Sequence, residues 1–118
     1  VIFRIDPSAG EPLFEQLATQ VRLAIARGTL SAGERLPAAR DVAESLQLNV
    51  HTVLHAYQAL RDEGLIELRR GRGAVVTAQA GADHSALLAA VDAVVREARA
   101  LNLTPQVTAA LLKEAFPT

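Results

Sequence analysis

A chain of 118 residues without cysteine holds one modest core and an appendage, and it excludes disulfides, thiolate metal sites and cysteine nucleophiles together. Half of the residues are hydrophobic and only 3% are aromatic, so the core must be built from Ala, Val, Leu and Ile, which suits helix packing. No apolar run nears the ~20 residues that cross a bilayer, no charged-then-apolar leader opens the chain, and a formal net charge of −1 supplies no overall basic excess for nucleic acid.

Residues 1–6 read as an extended arm, followed by a Pro-Ser-Ala-Gly-Glu turn. Ile2, Phe3 and Ile5 are expected to pack on the domain or a partner, with a DNA contact from Arg4 as the alternative. Pro12 is expected at the first position of a helix in which Leu13, Leu17, Val21 and Ile25 repeat every fourth residue. Ala24 widens that stripe, Gly28 ends it, and the helix reads as a brace. Residues 31–35 read as a turn.

Residues 36–60 parse as two short helices joined by a three-residue turn, the shape of a helix-turn-helix. The first is expected over Ala39–Leu46, with Val42, Ala43 and Leu46 on its inner face. Asn49 is a preferred N-cap, able to accept a hydrogen bond from the amide of His51 or Thr52. It opens a second helix in which Val53, Tyr57 and Leu60 recur at helical spacing, and Gly64 stops it. Ala43 lets the two backbones approach, Leu48 plugs the turn and Val53 fills the angle. His51, Thr52, His55 and Gln58 make an outer polar face near a helix N-terminus that favours anions. That is a candidate recognition helix for the major groove, the alternative being a helical hairpin with a solvated face.

Residues 65–69 (LIELR) and 74–77 (AVVT) are β-prone runs around Arg70, Gly71, Arg72 and Gly73, which read as a hairpin with a basic, glycine-permissive tip. Helix, helix-turn-helix and hairpin make a winged helix over residues 1–77. Residues 78–84 read as a linker. Beyond it Leu87, Val91, Val94, Ala98 and Leu101 recur with spacings of 4, 3, 4 and 3, and Thr104-Pro105 starts a last helix carrying Leu111 and Leu112. The expected fold is therefore mainly α with a small β-hairpin, a winged helix-turn-helix followed by a two-helix extension over residues 85–118. Two apolar helices with so little around them need a partner surface. Leu87, Val91, Val94, Leu101, Leu111 and Leu112 are the expected dimer interface.

Over residues 12–77 the chain resembles the GntR family of bacterial transcription regulators. The resemblance runs through PLFEQLATQVRLAIARGTLSAGERLP, the ARDVA helix, NVHTVLHAYQALRDEGLIE and RRGRGAVV, all in order and in register. The short tail and the Asn-Val-His-Thr turn are most similar to the YtrA-type branch. The resemblance implies a DNA-binding regulator, a repressor acting as a homodimer on an inverted-repeat operator. The residues expected at the DNA are Arg40, Asn49, His51, Thr52, His55 and Tyr57 for the groove and its phosphates, with Arg70, Gly71, Arg72 and Gly73 for the wing; by resemblance Arg40 is the strongest of them. Three positions depart from the family's usual pattern. Ala38 stands where Ser caps the helix, Gln47 replaces a turn glycine, and Val50 replaces an Arg that touches DNA in many members.

Charge distribution supports this better than net charge does. Residues 1–77 hold nine Arg and nine Asp or Glu, but Arg35, Arg40, Arg69, Arg70 and Arg72 gather at the start of the helix-turn-helix and at the wing. The planar guanidinium fork suits phosphate and guanine.

Other chemistry finds little footing. His51 and His55 stand one turn apart, a spacing that could hold a metal, but there is no H-E-x-x-H glutamate and no evident third ligand. Gly71 and Gly73 form a lone G-x-G, too little for a nucleotide loop, and no serine has triad partners at a recognisable spacing. No cofactor and no catalytic residue are expected. Two rival functions remain open: the front end of a longer aminotransferase-type regulator, and a winged helix used for protein contacts. The tail is too short to enclose the ~300 Å³ of a typical ligand pocket, so an effector would bind at the dimer interface or between tail and winged helix. The expected location is cytoplasmic, and the absent initiator Met points to a trimmed start.

Overall fold

The computed structural model describes residues 3–78 and 84–117. The chain forms two compact units, Val1–Asp83 and His84–Thr118. In order, the elements are α1 (Leu13–Ala26), α2 (Ala39–Leu46), α3 (Val50–Asp62), β1 (Ile66–Arg69), β2 (Gly73–Val76), α4 (Ser85–Ala100) and α5 (Pro105–Ala115). The expected mainly helical winged helix-turn-helix with two further helices is the fold observed. No helix among the described residues is long and apolar enough to cross a membrane.

α1 buries Leu17, Ala18, Val21 and Ile25, the stripe its spacing predicts. Pro12 sits one position earlier than expected, at the N-cap with ψ 146°, where its carbonyl accepts from the amides of Glu15 and Gln16. Proline's fixed φ suits that position equally well.

The arm is held by side-chain amides. Gln20 accepts from the backbone N–H of Arg4 at 2.8 Å and donates back to its carbonyl. One turn earlier, Gln16 accepts from Asp6 N–H at 2.8 Å and donates to the carbonyls of Asp6 and Glu11. Each primary amide offers one acceptor and two donors, so the two glutamines reproduce rungs of a β-ladder along the arm. Phe3 is thereby pressed into the core and Ile5 is half-buried against it, while the expected contact from Ile2 lies outside the described residues.

α2 and α3 cross over Ala43, Val53 and Ala56, all buried, so their small side chains allow the close approach. The turn between them needs a left-handed residue, and Gln47 adopts φ +56° there in place of the family's glycine. That conformation brings Leu48 N–H to the Ala43 carbonyl at 2.8 Å, satisfying one of the last acceptors of α2. Asn49 caps α3 by accepting from His51 N–H at 2.8 Å. At the other end Gly64 takes φ +81° and turns the chain into the hairpin.

β1 and β2 pair antiparallel, from Ile66 opposite Val76 to Arg69 opposite Gly73. Residues 33–36, expected as a turn and its exit, also add to this sheet. Gly33 N–H donates to the Val76 carbonyl, Val76 N–H to the Glu34 carbonyl, and Leu36 N–H to the Ala74 carbonyl. The segment before α2 is thus fixed to the wing, and Leu36 is buried beneath it. Arg22 joins α1 to the end of α3 by pairing with Glu15 at 2.9 Å and Glu63 at 2.6 Å.

In the second unit Thr104 accepts from Val107 N–H and caps α5, with Pro105 at the first helical position as expected. Asn102 takes φ +56° in the turn, and Leu103 N–H bonds to the Ala98 carbonyl at 2.9 Å. Among the described residues of this unit, Ala98 is the one that is buried. Leu87, Val91, Leu101, Leu111 and Leu112 are all exposed, Leu101 by as much as 69%, and Val94 is half-buried. α4 and α5 bound an open apolar groove of 440 Å³ lined by Val94, Ala98, Leu101, Leu103, Leu111 and Leu112 among others. The groove is open along its side, so the tail does not enclose it. Of the expected linker at 78–84, residues 79–83 lie outside the described residues.

Candidate nucleic-acid interface

α3 divides cleanly. Val53, Ala56, Tyr57 and Leu60 are buried, whereas His51, Leu54, His55 and Gln58 are exposed and Thr52 is half-buried. The free face begins at the capped N-terminus, where helix amides and dipole favour phosphate. Asn49 is exposed, but its side-chain oxygen is committed to the cap, leaving its NH₂ group to meet a ligand.

Tyr57, expected to meet the groove, is turned inward in the free chain. It is 3% exposed, and its hydroxyl donates to the Pro37 carbonyl at 2.6 Å. Burial raises the phenol above its ordinary pKa, so it remains a donor. Its helical spacing with Val53 and Leu60 accounts for the inward placement.

Arg40 is exposed at the start of α2 and makes no ion pair among the described residues, not even with Glu44 one turn further along the helix. α2 itself has no side-chain cap, as expected with Ala at position 38. Ala38 and Ala39, at this uncapped start, line a cleft of 440 Å³ together with Arg35, Arg69 and Arg70, with Leu54 and Tyr57 from α3 and Leu68 and Gly73 from the wing. Arg35, Arg40, Arg70 and Arg72 are all exposed and free of ion pairs among the described residues, while Arg69 is tied to Glu67 at 2.8 Å. At the tip Gly71 and Gly73 adopt φ +81° and +75°, which an L side chain resists, so the two arginines flank a sharply turned backbone.

His55 is exposed, but it is not a freely solvated ring. It stacks on Phe14 of α1 with centroids 3.8 Å apart and planes inclined by 14°. His51 stands one turn earlier, and among the described residues no cluster of three His, Asp or Glu gathers to hold a metal. Leu54 and Leu68, which the reading of polar faces passed over, are exposed at 38% and 44% beside the cationic cleft. Their signal was present in the sequence as apolar residues out of step with the buried stripe.

The family model for bacterial regulatory proteins, gntR family, matches residues 13–76. The chain is 41% identical over 101 residues to the HTH-type transcriptional regulator Rv1152 of Mycobacterium tuberculosis, covering 86% of this chain and 83% of that protein. It is 35% identical over 79 residues to the HTH-type transcriptional repressor YtrA of Bacillus subtilis, covering 67% of this chain and 61% of that one. Among solved structures, YtrA from Sulfolobus acidocaldarius, a GntR-family transcription factor, superposes with a TM-score of 0.62 at 33% identity, covering 85% of this chain and 99% of that chain. The free arginines at α2 and the wing, the capped α3 and these likenesses agree: the chain belongs to the gntR family of bacterial regulatory proteins and is a transcriptional regulator with that family's DNA-binding domain.

Proposed function

We propose that the protein is a repressor that acts in the cytoplasm as a homodimer on an inverted-repeat operator. In this reading residues 1–77 bind duplex DNA and residues 85–118 pair two copies. α3 lies in the major groove, with His51, Thr52, His55 and the Asn49 amide near base edges and phosphates. Arg40 reaches the groove from α2, and the Arg70-to-Gly73 wing reaches the adjacent minor groove or its phosphates. The observation that carries this is the set of unpaired arginines flanking an exposed, N-capped α3. The exposed apolar residues of α4 and α5 support the dimer, and symmetric pairing accounts for a two-fold operator.

The test is a mobility-shift titration with duplexes tiling the protein's own upstream region. Binding is expected at low salt and should weaken as salt rises, with a log–log slope of about −0.9 per phosphate neutralised. No shift at low salt would overturn the reading. A folded protein without salt-dependent DNA binding would instead be a winged helix serving protein contacts.

A further inference from the structure

We propose that Phe14, on the bracing helix α1 rather than the recognition helix, is a positioning residue for DNA binding, because its ring is the floor on which His55 lies. The proposal rests on the duplex-binding reading above. A centroid separation of 3.8 Å with a 14° tilt means that the rings overlap face on. Two phenyl rings disfavour that arrangement, since their negative faces repel. An imidazole over a phenyl ring tolerates it, and an imidazolium gains from it, since the positive partner then meets the negative face.

The geometry leaves the useful atoms of His55 free. Both nitrogens lie in the ring plane, so stacking covers a face and not Nδ1 or Nε2. Among the described residues no side-chain hydrogen bond engages the ring, and the residue is exposed. Phe14 is itself half-buried and packed against the core, so its own rotamer is restrained. Without that floor His55 would sample several staggered wells and would be ordered only on meeting DNA. Immobilising such a side chain weakens binding by about two- to twelvefold, and pre-stacking removes most of that penalty from the binding step.

The test uses the full chain and a duplex enriched from a random-sequence pool by the wild-type protein. Dissociation constants are compared for wild type, Phe14→Leu, Phe14→Tyr, His55→Ala and the Phe14→Leu/His55→Ala double variant, with a thermal melt of each. Phe14→Leu should weaken binding about two- to twelvefold, and Phe14→Tyr, which keeps the ring, should restore it. In the His55→Ala background Phe14→Leu should have no further effect. Histidine proton NMR gives a second readout: ring current from Phe14 should hold the His55 ring protons upfield in wild type and in Phe14→Tyr, and release them in Phe14→Leu. If Phe14→Leu melts below the assay temperature, the adaptable Phe14→Met replaces it. Unchanged affinity in Phe14→Leu, equal losses in both backgrounds, or unshifted His55 protons in wild type would each overturn the proposal. A wild-type chain that enriches no duplex overturns the DNA-binding reading, and the positioning role with it.

Discussion

The Tyr57 hydroxyl donates to the Pro37 carbonyl at 2.6 Å, fastening the middle of α3 to the residue that leads into α2. Leu36, one residue earlier, donates to the Ala74 carbonyl of the wing, so the Tyr57 hydrogen bond ties α3 to the segment that runs from the sheet into α2. Tyr57→Phe removes the donor and leaves a half-buried carbonyl unpaired, which should cost about 1–2 kcal/mol of unfolding free energy. Denaturant titration measures this. Because Tyr57 faces inward, base preference at the operator should be unchanged. A switch in preferred sequence would mean that the phenol reads DNA after all.

The same burial makes stability depend on alkaline pH. Tyr57 is the protein's single tyrosine, and its folded-state pKa is raised by desolvation. In the unfolded chain the phenol ionises near pH 10, so its contribution is fully present below that and is lost as pH rises toward the folded value. An alkaline ultraviolet titration should show tyrosinate forming together with unfolding rather than before it. Ionisation with the fold intact would contradict the buried placement.

Gln47 holds φ +56°, a conformation that costs a residue with a Cβ about 1–2 kcal/mol. Gln47→Gly removes that strain but adds about 0.5–1 kcal/mol of chain entropy to be lost on folding. A net stabilisation of up to about 1.5 kcal/mol should remain, raising the melting temperature of the winged-helix unit by up to several degrees. Calorimetry checks the sign. A lower melting temperature would show that the Gln47 side chain contributes more than its backbone strain removes.

What the sequence disclosed was set by range. The Asn49 cap, the Gly64 stop, the Thr104-Pro105 start and the Gly71/Gly73 tip are each decided within a few residues, and all are where spacing puts them. The clamp of Gln16 and Gln20 on the arm, the pairing of residues 33–36 with β2 and the Phe14–His55 stack join residues at least ten positions apart. Nothing in a helical repeat marks which glutamine will find a backbone partner. For the candidate site, the outward His51, His55 and arginines were legible from periodicity and charge, and the same periodicity places Tyr57 with the buried Val53 and Leu60.

Arg40 is unpaired and exposed, so its removal breaks no ion pair of the free protein. Arg40→Ala should leave stability within about 0.5 kcal/mol of wild type, as for a surface site. It should cost about 1–3 kcal/mol of binding if the guanidinium engages a base in bidentate fashion, with relaxed preference at one operator position. Binding to a panel of single-base operator variants separates the outcomes. A uniform loss with a salt slope smaller by about one would make Arg40 a phosphate anchor.

The tail carries the largest predicted effect. Leu101, Leu111 and Leu112 line an apolar groove with Val94, and Leu87 and Val91 continue the exposed surface along α4. If two copies cover this surface, deleting residues 79–118 should leave a folded winged helix that is monomeric and binds one half-site. Apparent operator affinity should then fall by ~10² or more, because tethering makes the second half-site contact intramolecular without adding any base contact. Val94→Glu is the gentler probe, placing an unpaired carboxylate in the groove at a cost of about 3–5 kcal/mol to pairing. Size-exclusion chromatography with light scattering decides the matter. A full-length chain that runs as a monomer at micromolar concentration would remove the dimer role, and Val94→Glu would then leave operator affinity unchanged.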